Sequence, residues 1–313
     1  MACRFPLHGY ALSVANVETG KFPTSFDAGD WSPVGTGDNR RVLPCGKCPT
    51  CKAKYARDWA IRMVHEAQCW PRNVFITLTY RPECLPLDAV LVKKDFQDFM
   101  KRLRKRFGAG IRFFHCGEYG KRKGRPHYHA ILFNFDFEDR VAEEFRNGHQ
   151  YYSSPSLDDL WGKGIARIGE VTLESCGYVA RYVNKKLDDD VRYEILDLET
   201  GEISLKPREY ATMSRRPGIG RLWYDRFALG DVYPHDRVVY KGKELRPPRY
   251  YDSLFQIDDP VSFEEIKRKR KSALNLKPFE NRLRSRLLAK WKYEDLKFER
   301  LKRGYEDETL YCA

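Results

Sequence analysis

RPHYHAILFNF, residues 125–135, carries two histidines, His127 and His129, directly before a run of apolar and aromatic residues. Runs rich in β-branched and aromatic residues are typical of a buried strand. On a strand, residues i and i+2 lie on the same face, so both imidazoles can reach one cation. Histidines at this spacing also occur without a metal on half-exposed strands, and the pair gains weight only from its neighbours.

A carboxylate is the first such neighbour. FFHCGEYG, residues 113–120, ends a second predicted strand, and the loop YGKRKGRP joins the two strands. If they pair as a hairpin around residues 119–126, Glu118 lies opposite His127 on the same face. A shift of one residue would remove Glu118, leaving it a solvated carboxylate at a strand end. Two imidazoles and a carboxylate leave positions for water and a phosphate oxygen, as Mg²⁺ or Mn²⁺ catalysis requires.

A pair of tyrosines follows in GYVARYVNKK, residues 177–186, within a helix predicted from Thr172 to Leu187. Tyr178 and Tyr182 are one helical turn apart on one face, and Lys185 falls on that face too. A tyrosine is a poor nucleophile at its ordinary pKa of about 10 and needs a metal-polarised phosphate or a nearby cation. Aromatic pairs at this spacing are commonly core residues, but a preceding strand with paired histidines favours chemistry.

The order of the predicted elements indicates the fold class. NVFITLTY (residues 73–80) predicts a strand, residues 95–107 a helix, the two hairpin strands follow, and residues 164–171 predict a fourth strand before the tyrosine helix. This order does not alternate as a parallel sheet would. We expect an α+β fold with a central antiparallel sheet of about five strands and flanking helices on one side. The expected units are an N-terminal arm and helix (1–70), a core (71–190), a core-associated extension (191–260) and a charged helical segment (261–313).

The charge balance indicates the class of partner. The 313-residue chain has 57 lysines and arginines against 44 acidic residues, a net charge of +13. This excess favours nucleic acid, because each neutralised phosphate releases condensed counterions. The helix over 95–107 has a cationic face that is either solvated or borders a DNA channel. The candidate DNA contacts are Arg102, Lys105, Lys121, Arg122, Lys123 and Arg125.

The remaining composition indicates compartment and class. A content of 42% apolar and 14% aromatic residues excludes a disordered chain. Neither a secretory signal nor an apolar stretch of about 18 residues is visible, so no membrane association is expected. The nine scattered cysteines fit a reducing cytoplasm better than a disulfide framework.

Three of these cysteines form a separate motif. Cys45, Cys48 and Cys51 form C-x2-C-x2-C, and a thiolate cluster suits tetrahedral Zn²⁺. Cys3 is the first choice for the fourth ligand of a structural zinc, with His8 or His65 as alternatives. The other interpretation is three free or partly buried thiols.

In this order, FITLTY, GEYG with RPHYHAILF, and GYVARYVNKK resemble the three motifs of the HUH replication initiators. The two-tyrosine motif and MSRRPGIGRLWYDR (residues 213–226) resemble the replication initiation proteins of the microviruses, small single-stranded DNA phages. The early CGKCPTC segment favours the gokushovirus-like branch. The resemblance covers about residues 1–250.

The resemblance implies an HUH endonuclease fold with ferredoxin- or RRM-like layers. His127 and His129 would bind Mg²⁺ or Mn²⁺ with Glu118 as third ligand, and Thr77 and Thr79 would support the site. Tyr178 and Tyr182 would be nucleophiles that nick single-stranded origin DNA and keep its 5′ phosphate, with Lys185 assisting.

The expected partners follow from the same resemblance. The released 3′-hydroxyl would prime a host polymerase, and the chain lacks G-x-x-x-x-G-K-[ST], so a host helicase is expected. The cytoplasm of a bacterial host is the expected compartment. The alternatives are a nucleic-acid-binding protein without catalysis, or a two-tyrosine HUH transposase or relaxase.

Overall fold

A computed structural model describes residues 3–12, 23–26, 40–120, 124–146, 148–185, 194–196, 201, 203–275 and 283–299. The described strands are β1 (Leu7–Ala11), β2 (Thr24–Ser25), β3 (Arg40–Leu43), β4 (Asn73–Thr79), β5 (Arg112–Tyr119), β6 (Pro126–Phe133), β7 (Val141–Arg146), β8 (His149–Ser153), β9 (Ala166–Gly169), β10 (Glu194–Leu196), β11 (Ile203–Leu205), β12 (Tyr210–Met213), β13 (Val238–Tyr240) and β14 (Lys243–Leu245). The described helices are α1 (Pro49–Gln68), α2 (Lys93–Phe107), α3 (Pro155–Trp161), α4 (Leu173–Lys185), α5 (Arg221–Phe227), α6 (Tyr233–His235), α7 (Arg249–Asp258), α8 (Pro260–Asn275) and α9 (Arg284–Glu299).

The central sheet is antiparallel throughout, with the strand order β12-β5-β6-β4-β9-β8-β7. The expected α+β class is confirmed, but the sheet has seven strands where the sequence predicted about five. The hairpin β7–β8 lies in the stretch 136–160 that its polarity marked as irregular. β7 is almost wholly exposed, and a register shift between Ala142 and Glu144 interrupts its pairing, so its sequence shows no alternation.

Helices cover both faces of the sheet, which corrects the expectation of helices on one side. Ile76, Leu78 and Leu132 pack under α2 and α3, whereas Phe75 and Ile131 pack under α1 and α4. Successive residues of a strand point to opposite faces, and those of β4 are buried on both. A strand that is apolar on both faces requires cover on both.

A third cluster joins the C-terminal part of the chain to the outer side of α1. Ile61 packs there with residues of α5, α7 and α8, including Trp223, Tyr251 and Phe255. The predicted helical character of the segment after residue 260 is seen in α8 and α9. No helix in the described part of the chain is long and apolar enough to cross a membrane.

Candidate metal centre

The register of the three central strands brings the predicted ligands together. Glu118 of β5 pairs with His127 of β6, as the hairpin prediction required. On the other side of β6, Thr79 pairs with His127 and Thr77 with His129. All five side chains belong to the face that α1 and α4 cover, because they occupy alternate positions with Phe75 and Ile131.

One carboxylate oxygen is the centre of the arrangement. Oε1 of Glu118 lies 2.8 Å from Nε2 of His127 and 2.7 Å from Nε2 of His129. The hydroxyl of Tyr178 donates to the same oxygen at 2.7 Å and lies 3.3 Å from Nε2 of His129. Glu118, His129 and Tyr178 are 3%, 1% and 1% exposed, so four polar side chains meet in a site nearly closed to solvent.

The imidazoles are oriented through their other nitrogens. Nδ1 of His129 lies 2.9 Å from Oγ1 of Thr77, and Nδ1 of His127 donates to the carbonyl of Arg125 at 3.2 Å. Contacts of this kind fix the ring so that Nε2 points at a shared ion. Thr77 supports the site as expected. The Arg125 carbonyl was missed, since every residue has a carbonyl and its use leaves no signal in the sequence.

The charges in the cluster depend on one another. Burial acts to raise the pKa of Glu118, but the two imidazoles outweigh it and hold that pKa well below its ordinary value. Burial likewise acts to lower the pKa of His127, and the Glu118 carboxylate beside it raises that pKa instead. The carboxylate is therefore favoured in its ionised form, which is the form that binds cations.

The donor atoms fit a divalent cation. One ligand atom each from Glu118, His127 and His129 lies within 4.8 Å of the others. Two nitrogens and one oxygen form a set that divalent metals accept while keeping open positions for water or substrate. Side chains this close and this buried otherwise depend on shared protons to offset their desolvation. These three residues are the ones that could hold Mg²⁺ or Mn²⁺.

The other predicted site residues are placed unequally. Tyr182 and Lys185 lie in α4, but their side chains fall outside the described ones, as do Lys121, Arg122 and Lys123 entirely. Arg125 lies at the site, where its guanidinium donates to the carbonyl of Tyr80 at 2.8 Å.

Arg102 and Lys105 belong to α2, on the opposite face of the sheet from Glu118. Arg102 donates to the carbonyls of Leu160 and Trp161 at 2.9 and 3.5 Å, which ties α2 to the end of α3. Lys105 is exposed. Neither cation borders the Glu118 centre.

A second cluster contains the four predicted cysteines. Their Sγ atoms lie within 4.8 Å of one another, so Cys3 takes the place expected of a fourth ligand. The amide of Cys45 donates to Sγ of Cys3 at 3.2 Å, and the amide of Cys48 to Sγ of Cys45 at 3.4 Å. Burial acts to raise the pKa of Cys45, but the Cys48 amide and the Cys3 thiol outweigh it and lower that pKa to about 6.

The two histidines considered as alternative ligands lie outside this cluster. His8 is an exposed residue of β1. His65 is buried in the third core cluster, where it stacks on Trp223 at 3.6 Å and hydrogen-bonds to the hydroxyl of Tyr251 at 3.0 Å. The four thiols are therefore the group that could hold a zinc ion.

Comparisons with known proteins agree with this site. The family model for replication-associated proteins of the ORF2 type matches residues 73–187, which contain Glu118, both histidines and α4. The chain is 33% identical over 244 residues to replication-associated protein VP4 of Bdellovibrio phage phiMH2K, covering 72% of the chain and 70% of the relative. No solved structure matches the chain.

Two further relatives carry the same kind of name. Replication-associated protein ORF2 of Spiroplasma virus 4 is 31% identical over 302 residues, covering 90% of each chain. Replication-associated protein ORF4 of Chlamydia phage 1 is 33% identical over 223 residues, covering 68% of this chain and 53% of the relative. The resemblance of the motifs is thereby confirmed at the level of the whole chain, and this protein belongs to the replication-associated proteins of the microviruses.

Proposed function

We propose that this chain starts rolling-circle replication by cutting single-stranded origin DNA with a tyrosine of α4. The observation that carries the proposal is the hydroxyl of Tyr178, which donates to Glu118 at 2.7 Å beside both imidazoles. A tyrosine needs such a setting, because its hydroxyl is a poor nucleophile at its ordinary pKa of about 10.

Glu118, His127 and His129 would hold Mg²⁺ or Mn²⁺. When bound, the cation supplies Lewis-acid polarisation of the scissile phosphate. The side chain of His127 is 12% exposed against 1% for His129, so the phosphate would approach from the side of His127. Arg125 lies on that side, and the loop that contains it also carries Lys121, Arg122 and Lys123, which would contact the DNA backbone.

The reaction is a transesterification. The tyrosine oxygen forms a bond to the 5′ phosphate, the bond from phosphorus to the 3′ oxygen breaks, and that oxygen leaves as a 3′-hydroxyl with the proton given up at the tyrosine. The phosphotyrosine ester conserves the bond, so no nucleotide is consumed. Tyr182, one turn along α4, would attack after one circuit, and the freed 3′-hydroxyl would close the circle. Lys185 would assist at the phosphate.

The surrounding steps would belong to the host. A polymerase would extend the 3′-hydroxyl and a helicase would separate the strands, in the cytoplasm of the infected bacterium. The names of the relatives favour a replication initiator over a transposase or relaxase. A protein that binds nucleic acid without catalysis would not need a buried tyrosine at a carboxylate and two histidines.

The first prediction concerns the nucleophiles. Single-stranded origin DNA and Mn²⁺ should give a denaturant-resistant protein–DNA band on a gel. Tyr178→Phe and Tyr182→Phe should each keep part of this adduct, because the other hydroxyl remains, and the double variant should give none.

Tyr293, 69% exposed on α9, provides the matched control, and Tyr293→Phe should leave the adduct unchanged. EDTA should abolish cleavage while DNA binding, which depends mainly on cationic side chains, persists. An adduct in the double variant, or cleavage undiminished in EDTA, would show that the proposed chemistry is wrong.

The four cysteines are proposed to hold a structural Zn²⁺ separate from the catalytic ion. Thiolates suit zinc, whereas the imidazole and carboxylate donors of the other site suit a harder cation. Amide donors to Sγ of Cys3 and Cys45 stabilise the thiolate form.

A further inference from the structure

A groove of about 750 Å³ lies between α1, β12 and α7, apart from the Glu118 centre. Its wall contains three aromatic rings and three cations, namely Tyr55, Trp59, Tyr250, Lys54, Arg62 and Arg249. Asp58 also lines it, but this carboxylate is already engaged with Arg57 at 3.1 Å. The groove is therefore both aromatic and positively charged.

Arg62 is held in this groove by rings instead of by a carboxylate. Its guanidinium carbon lies 3.8 Å from the ring centre of Trp59 and 3.9 Å from that of Tyr250. Its Nε donates to the carbonyl of Ile219 at 3.0 Å. Within the described part of the chain, Arg62 forms no ion pair, and burial lowers its pKa. A positioned guanidinium without an acidic partner is suited to bind an anion from outside the protein.

The lining suits single-stranded nucleic acid better than other polyanions. Bases stack on aromatic side chains whatever their sequence, while cations nearby contact the phosphates. Tyr55 is 43% exposed, so part of its ring is open to such stacking. An acidic peptide would satisfy the cations but would leave the aromatic faces without planar partners. A duplex keeps its bases stacked on one another and cannot offer them to the rings.

The groove is continuous with the catalytic face. Ala211 lines the groove and pairs with Cys116, which lies two residues before Glu118 on β5. Two residues along a strand span about 7 Å, and neighbouring strands lie about 5 Å apart. Trp59 also packs on Phe114 of β5, with ring centres 5.2 Å apart. A strand lying in the groove can therefore continue towards Tyr178.

We propose that this groove binds the single-stranded DNA that flanks the cleavage position, with bases stacked on Tyr55 and neighbouring rings and phosphates on Lys54, Arg62 and Arg249. The proposal deepens the proposed function, since it names the surface by which the same substrate reaches the tyrosines. It separates affinity for the single strand from the chemistry at Glu118.

The test uses two Lys-Tyr pairs on exposed helix faces. Lys54→Ala/Tyr55→Ala changes the groove, and Lys292→Ala/Tyr293→Ala on α9 removes the same two residue types outside it. Binding of a fluorescent single-stranded origin oligonucleotide to the full chain is measured by anisotropy in EDTA, so that no cleavage occurs. Loss of one stacked base should weaken binding at least about five-fold in the groove variant. Loss of one phosphate contact should reduce the salt dependence of log K by about 0.7.

The control variant should bind within about two-fold of the wild type. Arg62→Lys keeps the charge, loses the planar stack and should also weaken binding. The proposal is overturned if the groove and control variants bind the single strand equally well, or if an acidic peptide or a duplex competes as strongly as the single strand. These outcomes do not depend on adduct formation, so failure of the tyrosine chemistry and failure of the groove are distinguishable.

Discussion

Thr77 shows how one residue outside the ligand set can control the metal site. Its hydroxyl lies 2.9 Å from Nδ1 of His129, and the molecule contains a matching pair on the opposite face, where Oγ1 of Thr212 lies 2.9 Å from Nδ1 of His115. Partners of metal-bound histidines orient the ring, and their loss reduces metal affinity about 10- to 100-fold. The two pairs therefore separate orientation of a ligand from the general effect of losing a threonine.

Thr77→Val should weaken Mn²⁺ binding by about 10-fold or more, whereas Thr212→Val should leave it unchanged. Both variants lose one hydrogen bond to a buried imidazole, so their free energies of unfolding should fall to a similar extent. Calorimetric titration with Mn²⁺ measures the difference. Equal Mn²⁺ affinity in the two variants would show that Thr77 does not orient His129.

The candidate site was largely readable at this scale, for a definite reason. His127, His129 and Glu118 lie in two adjoining strands, where a period of two and a hairpin register determine which side chains meet. The carboxylate–tyrosine contact was not readable. It depends on how α4 lies across the sheet, and helix periodicity indicates a face without indicating what that face contacts.

His65 illustrates a titratable residue outside the site. Burial lowers its pKa to about 3, while its unfolded pKa is about 6.5. Between these values the unfolded chain takes up a proton that the native protein excludes. Stability due to neutral His65 is present above about pH 6.5 and is lost as the pH falls towards 3, by up to about 1.4 kcal/mol per pH unit.

His65→Phe keeps a ring against Trp223 and removes the titration. The slope of unfolding free energy against pH, from denaturant titrations at about pH 6, 5 and 4, should be smaller in the variant by roughly one proton. An unchanged slope would mean that another group accounts for the acid sensitivity of the wild type.

Between elements, Glu66 joins three parts of the fold. This carboxylate of α1 is fully buried and accepts hydrogen bonds from Nε of Arg112 at 2.6 Å, from Nε1 of Trp70 at 3.2 Å and from the amide of Gly220 at 2.6 Å. It thereby fixes α1 to β5 and to the loop that leads into α5. Removing one partner of a buried pair leaves the other charge uncompensated.

Glu66→Ala should lower the free energy of unfolding by about 3–5 kcal/mol. Asp98 pairs with Lys94 and Lys101 on the surface of α2, and Asp98→Ala should cost less than about 1 kcal/mol. Urea denaturation followed by circular dichroism provides both values. Similar losses in the two variants would contradict a structural role for the buried pair.

The elements themselves were predicted unevenly. β4, β5, β6, α2 and α4 have a clear period of two or of 3.6 residues, and their positions agree with the sequence. The cover on both faces was missed, although NVFITLT is buried on both sides. An apolar threonine-containing strand looks alternating when the hydroxyls are counted as exposed, and here both threonines face the site.

Across the whole molecule, two distant parts of the chain meet beside the cysteine cluster. Arg4 donates to both carboxylate oxygens of Asp295 on α9, at 2.9 and 2.6 Å. Thr50, between Cys48 and Cys51, donates to Glu294 at 3.0 Å. Phe5 contacts Trp291, with ring centres 6.4 Å apart. α9 therefore docks on the N-terminal arm and on the start of α1.

A zinc ion at the four thiols would consequently stabilise more than the arm. Metal binding to a site that the unfolded chain lacks contributes directly to folding free energy. Losing the ion should loosen the arm and, through Arg4 and Thr50, release α9. The Glu118 centre lies on the core sheet and should retain its metal affinity.

Elemental analysis of protein purified without chelator should give about one zinc per chain, lost in Cys48→Ser and retained in His127→Ala. Hydrogen exchange should then accelerate in residues 3–12 and 284–299 of Cys48→Ser, with the exchange of β4 and β6 unchanged, because local opening is confined to the region whose contacts are lost. Cys69→Ser, a half-buried thiol outside the cluster, is the control and should keep both the zinc and the slow exchange. Zinc-free wild-type protein would leave the four cysteines as ordinary thiols, and faster exchange limited to the arm would show that α9 is held by other contacts.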